Sequence, residues 1–172
     1  MMIKKSLLTS GVILTVAFVG QILAAWLLYN PQANALVINL GWIMIMFSAI
    51  FGWLPIFTFR ARGKIEGRSY INTTVLVDSG VYSIVRHPQY LAGILLNIAL
   101  PLITFHWLVI VLGIIAWVIT YLNTFDEEED NIDKFGEEYQ VYQEKVPRLN
   151  FLLGLYRLVQ RKRKPGPESG SR

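Results

Sequence analysis

No cysteine occurs among the 172 residues. Disulfides, thiolate nucleophiles and sulfur-ligated metals are therefore excluded. Histidine is almost as scarce: only His87 and His106 are present, with an uncharged segment between them. A histidine-based metal centre within one chain is not expected from such a pair. Charge is sparse as well, at 16% of residues, and it is missing entirely from Ser6–Phe59 and from His87–Phe125. No internal repeat is visible.

What is present is apolar: 53% of residues are hydrophobic, too many for an ordinary soluble domain. Each uncharged window has room for two membrane spans of ~20 residues. The expected spans are Leu7–Tyr29, Leu36–Phe59, Pro88–Ile103 and Trp107–Phe125, the third being short. The first apolar stretch is too long for the core of a cleaved signal and reads as a retained anchor. The fold class is thus an all-α integral membrane protein. It has about four transmembrane helices, a cytoplasmic amphipathic helix and a C-terminal interfacial segment.

Basic residues set the orientation. Lys4 and Lys5 precede the first span, and Arg60, Arg62, Lys64, Arg68 and Arg86 lie between the second and third. The opposite connections, Asn30–Ala35 and Thr104–His106, carry no Lys, Arg, Asp or Glu. Both termini are expected in the cytoplasm, with the cell membrane as the host bilayer. The net charge of +4 then reflects topology and attraction to anionic lipid, with no nucleic-acid partner.

Residues 1–164 read as a single membrane domain and 165–172 as a disordered tail. Within the cytoplasmic loop, the β-branched run Thr73-Thr74-Val75-Leu76-Val77 precedes a turn at Asp78-Ser79-Gly80. Pro88 suits the first turn of a helix, where its missing N–H has no role. After Phe125, the spacing of Ile132, Phe135, Tyr139, Tyr142 and Val146 predicts an amphipathic helix that Pro147 ends. An acidic run at a helix C-terminus is unfavourable, so the fourth span should continue into that helix, with or without a kink. Asn150–Val159 reads as interfacial, and Arg161-Lys162-Arg163-Lys164 as headgroup-touching.

Two polar clusters stand at one end of the last two spans: Arg86-His87-Pro88-Gln89-Tyr90 and Asp126-Glu127-Glu128-Glu129-Asp130. The first pairs a helix N-terminus with an arginine, an anion site, and puts His87 and Tyr90 on one helix face. Arg86 and His87 read equally as basic residues at a span end. In the second cluster, Glu128, Glu129 and Asp130 read first as a solvated face. Glu127 lies one turn after Asn123, a polar amide inside an apolar span, so the two make a stripe entering the membrane. Asn123 alone would serve as helix–helix glue. Tyr139 and Tyr142 read as the buried face of their helix, and His106 as an outer-face residue without a role.

These residues carry a family resemblance. Ser79-Gly80-Val81-Tyr82-Ser83-Ile84-Val85-Arg86-His87-Pro88-Gln89-Tyr90, then Glu127-Glu128, then Phe135-Gly136-Glu137-Glu138-Tyr139-x-x-Tyr142 and Val146-Pro147-Arg148, resemble the isoprenylcysteine carboxyl methyltransferase family in its prokaryotic form. Phospholipid N-methyltransferases are relatives of that family. The resemblance covers residues 74–148 and implies a membrane transferase using S-adenosyl-L-methionine. The implied cofactor site comprises Thr74, Val75, Leu76, Val77, Tyr82, His87, Pro88, Gln89, Tyr90 and Glu127, with Arg86 beside the cofactor's carboxylate. The acceptor is expected to be a lipophilic molecule reached at the cytoplasmic membrane face.

One departure bears on chemistry. Carboxyl-methylating members place an arginine one turn before the residue matching Glu127, and here Asn123 stands there. An amide does not neutralise a carboxylate, so a carboxylate acceptor is disfavoured. A lesser departure is polar Asn131 before Ile132. A thiol, amine or hydroxyl acceptor must lose a proton, for which Glu127 or Glu128 is the nearest base and His87 the second. Asn123 is expected to orient the acceptor. Two other readings remain: an NADPH-dependent membrane reductase of the sterol reductase type, and a non-catalytic membrane scaffold.

Overall fold

The structure, a computed structural model, describes residues 2–29, 34–62 and 75–163, with side chains from residue 11 onward. Six α-helices occur among the described residues: α1 (Met2–Leu27), α2 (Ala35–Arg62), α3 (Pro88–Thr104), α4 (Trp107–Phe135), α5 (Glu137–Lys145) and α6 (Phe151–Arg163). A short 3-10 turn, Gly80–Ser83, precedes α3. No strand is found among the described residues, so the all-helical expectation holds. Thr74 and the tail from 165 lie outside the described residues, as do Thr73, residues 30–33 and most of the loop after α2.

Side chains cap these helices where the sequence offers them. Asn34 Oδ1 accepts the Leu36 amide at 2.9 Å, and Asn150 Oδ1 accepts the Leu153 amide at 3.0 Å. His106 does the same for α4: its Nδ1 accepts the Leu108 amide at 3.2 Å. It therefore has a role, contrary to the sequence expectation. Phe105, at φ 52°, reverses the chain between α3 and α4.

Helices α2 and α4 are long and apolar enough to cross a membrane, and Gly11–Leu27 and Pro88–Thr104 are shorter apolar helices. Only 11% of the apolar window of α2 and 28% of that of α4 is buried, so neither is the core helix of a soluble fold. Val12, Val16, Leu23 and Trp26 on α1, Trp42, Met46 and Trp53 on α2, and Ile114, Val118 and Leu122 on α4 are all exposed. Large apolar side chains exposed in this number suit lipid and are unfavourable in water.

The chain packs as two compact units, Met1–Leu54 with Gln89–Asp130, and Pro55–Pro88 with Asn131–Arg172. In the first, small residues let helices approach. Ala24 and Ala25 of α1 pack with Val109 of α4, joined by Leu100, Leu108 and Leu112. Buried beside them, Gln21 donates from Nε2 to the Asn97 carbonyl (3.1 Å) and the Val109 carbonyl (3.2 Å). It thus ties α1 to α3 and α4. Gly113 creates the room: a Cβ there would collide with the Gln21 amide and lie 2.8 Å from the Asn97 carbonyl oxygen. Ser48 of α2 adds a 2.8 Å bond to the Ala92 carbonyl.

In the second unit the continuation of the fourth span is broken rather than smooth, one of the two outcomes the sequence allowed. Gly136 has φ 58° and ψ −132°, which an L side chain adopts only under strain, and it separates α4 from α5. The apolar stripe survives the break. Tyr139, Tyr142 and Val146 form a buried cluster with Leu76, Ile132 and Phe135 against it.

Gly113→Ala should destabilise the first unit by about 1–3 kcal/mol through overpacking. Adding Gln21→Ala should recover part of that loss, because the nearest colliding group is removed. Thermal unfolding in detergent of the two single variants and the double variant checks this coupling.

Candidate active site

The segment leading into α3 is held by backbone and ring contacts within the second unit. The Arg86 amide donates to the Pro147 carbonyl (3.1 Å), and the His87 amide to the Arg148 carbonyl (3.2 Å). The Tyr142 hydroxyl donates to the Tyr82 carbonyl at 2.7 Å, and the Phe59 and Tyr82 rings lie 5.0 Å apart between centroids. Burial, followed by the neighbouring Tyr139 and Tyr82, pushes the Tyr142 phenol well above the ordinary tyrosine range. The hydroxyl is therefore a proton donor at any physiological pH.

These bonds give the late motifs a purpose that spacing alone did not reveal. Val146-Pro147-Arg148 supplies carbonyls to the Arg86-His87 amides, and Tyr142 latches the 3-10 turn. Behind them Val85 is fully buried, His87 is 3% exposed and Pro88 is buried. Of the β-branched run, Val75 is exposed, Leu76 packs on the tyrosine cluster and Val77 is buried. Arg86 is half-buried.

The first unit presents the acidic part. Gln89 is exposed and Tyr90 half-buried in the first turn of α3, where amides have no intrahelical acceptor. The Tyr90 hydroxyl hydrogen-bonds the Glu127 carboxylate, joining the start of α3 to the polar end of α4. Because α4 runs unbroken to Phe135, Asn123 and Glu127 do share one face, Asn123 half-buried and Glu127 exposed.

Glu128 departs from the solvated face expected of it. Glu129 and Asp130 are exposed, but Glu128 is only 4% exposed. The reason is register: Val109, Gly113, Ala116, Thr120, Thr124 and Glu128 all fall on the buried side of α4. Thr120 and Thr124 satisfy their hydroxyls within the helix, on the Ala116 and Tyr121 carbonyls. Glu128 continues that stripe into the acidic run. No group of three or more His, Asp or Glu able to hold a metal occurs among the described residues.

Two buried polar residues escaped the sequence reading, Gln21 and Asn97. Each is a polar amide inside an expected apolar span, the signal that singled out Asn123. Gln21 is fully buried and Asn97 is 2% exposed.

A model of the phospholipid methyltransferase family matches residues 36–137, from α2 through the break at Gly136. The chain is also 32% identical over 157 residues to Methanethiol S-methyltransferase 2 of Bradyrhizobium diazoefficiens, covering 87% of this chain and 55% of that protein. It therefore spans about half the length of that relative. The matched region contains both Arg86-His87-Pro88-Gln89-Tyr90 and the acidic run of α4 that Tyr90 meets. With more than half of its length matched, the chain belongs to the phospholipid methyltransferase family.

Proposed function

We propose that this chain is an S-adenosyl-L-methionine-dependent methyltransferase acting on a lipophilic acceptor at the cytoplasmic face of the cell membrane. The observation that carries the reading is the Tyr90–Glu127 hydrogen bond, which joins two motif segments separated by a whole helical hairpin. In this reading α1 to α4 cross the bilayer, both termini are cytoplasmic, and residues 1–164 work as one domain.

The residues present fit the cofactor's charges. A carboxylate suits a helix N-terminus beside Arg86. Glu127, held by Tyr90, suits an ammonium or sulfonium, and buried His87 adds a hydrogen-bonding ring. Thr74, Val75, Leu76, Val77, Tyr82, Pro88 and Gln89 complete the proposed set. Bound there, the cofactor would supply an electrophilic methyl group for the acceptor, with its sulfur as the leaving group that keeps the bonding electron pair.

The chain's own residues then position the acceptor and take its proton. Asn123, one turn deeper on the Glu127 face, orients the acceptor by hydrogen bonding. Its amide disfavours a carboxylate and leaves thiol, amine or hydroxyl acceptors. Among these the name of the Bradyrhizobium relative favours a thiol. Glu128, next to Glu127 and buried, is the proposed base that receives the proton.

Calorimetric titration of detergent-purified protein with S-adenosylhomocysteine, with NADPH in parallel, tests the reading. Binding of S-adenosylhomocysteine alone is expected, weakened at least tenfold in Glu127→Gln. Binding of NADPH alone, or of neither by folded protein, overturns it.

Asn123→Ala should lower kcat/KM for the acceptor by roughly tenfold, about 1.4 kcal/mol, with S-adenosylhomocysteine affinity unchanged. Glu128→Gln should lower kcat by 100-fold or so, on the order of a lost general base. Steady-state kinetics with a lipophilic thiol would check both, and unaltered rates in either variant would remove that residue from the mechanism.

A further inference from the structure

Helix α6 has two faces with different chemistry. On one, Gly154 rests directly on the Ile84 carbonyl, so closely that a Cβ there would collide with that oxygen and lie 2.7 Å from its carbon. On the same face Arg157 donates to the Glu144 carbonyl (3.1 Å), and Arg161 donates to the Ser83 carbonyl (2.7 Å). This face is therefore bolted to the backbone just before Arg86-His87-Pro88. The opposite face holds Leu152, Leu155, Tyr156 and Val159, exposed by 76, 42, 62 and 41%. Their helical spacing continues into Lys162 and Arg163, both exposed.

We infer that this outer face docks on an anionic lipid surface, and that docking steadies the Ser83–Pro88 segment bolted to the inner face. Thirteen residues of helix reach about 20 Å, too short to span the hydrocarbon, so α6 lies along the surface. An apolar stripe ending in lysine and arginine is the pattern of an interfacial helix on acidic headgroups. A second copy of the chain is a poorer occupant, because α6 holds no acidic residue to meet Lys162 and Arg163. The basic side chains of α6 divide between two surfaces, Arg157 and Arg161 gripping the protein while Lys162 and Arg163 reach toward lipid.

The coupling is mechanical. Ile84 and Ser83, under α6, lead directly to the amides of Arg86 and His87, which are held by Pro147 and Arg148 on the stretch of chain that enters α6. Fixing α6 against a surface therefore restrains both sides of that pairing. The inference rests on the methyltransferase reading only in giving Ser83–Pro88 a cofactor-binding role.

The absence of native cysteine permits a clean test. Leu155→Cys, carrying an environment-sensitive fluorophore, is placed in nanodiscs of phosphatidylcholine with or without phosphatidylglycerol, each containing a lipid-borne quencher. Quenching should be at least twofold stronger with phosphatidylglycerol, and should fall in high salt and in Lys162→Gln/Arg163→Gln. Amide exchange at Arg86 and His87 in the unlabelled full chain should slow several-fold in the same bilayers. Equal quenching in both lipids overturns the docking, as does self-association that quenches the label without lipid quencher. Lipid-dependent quenching with unchanged exchange overturns the coupling. If quenching and exchange respond as expected but S-adenosylhomocysteine never binds, the methyltransferase reading fails and this one stands.

Discussion

Two amide-to-carbonyl hydrogen bonds, Arg86 to Pro147 and His87 to Arg148, fix the point from which α3 begins. Each is worth only about 1 kcal/mol net. Their importance is geometric. They align the chain so that Pro88 opens the helix, His87 is buried behind it and Tyr90 sits in the first turn. The neighbouring contacts reinforce that placement. Tyr142 holds the 3-10 turn, Leu76 covers the tyrosines, and Gly154 lets α6 settle on Ile84.

The first unit solves a different problem, keeping polar groups inside an apolar bundle. Water is not at hand there, so a buried donor is stabilised by a neighbouring helix or by its own carbonyl ladder. Thr104, Thr120 and Thr124 take the second route, and Gln21 takes the first by reaching two helices at once. The cost falls on side-chain volume: Gly113 must lack a Cβ for the amide to fit. Tyr90 and Glu127 use the same logic at the polar end, where the phenol donates to a carboxylate.

The methyl-transfer reading asks little covalent chemistry of the protein. Such a displacement needs alignment, a place for positive charge and a route for one proton. A rigid helix start, an oriented acid and a buried neighbouring acid answer those needs. In that reading Asn123 carries more weight than its modest chemistry implies, because an amide in place of an arginine would alter which acceptors the polar stripe tolerates.

The sequence by itself determined the helical class, the start of α3 at Pro88, the sharing of a face by Asn123 and Glu127, and the family. Those depend on local propensity, on a 3.6-residue period and on motif order, all of which are written along the chain. Only the tertiary structure decided the rest. Glu128 became buried because its register continues the packed side of α4, and His106 became a cap because the next helix began beside it. The break at Gly136 split a stripe whose period runs straight through it. Val146-Pro147-Arg148 proved to be the partner of Arg86-His87 because backbone pairing between distant segments leaves no periodic trace in the side chains that a sequence displays.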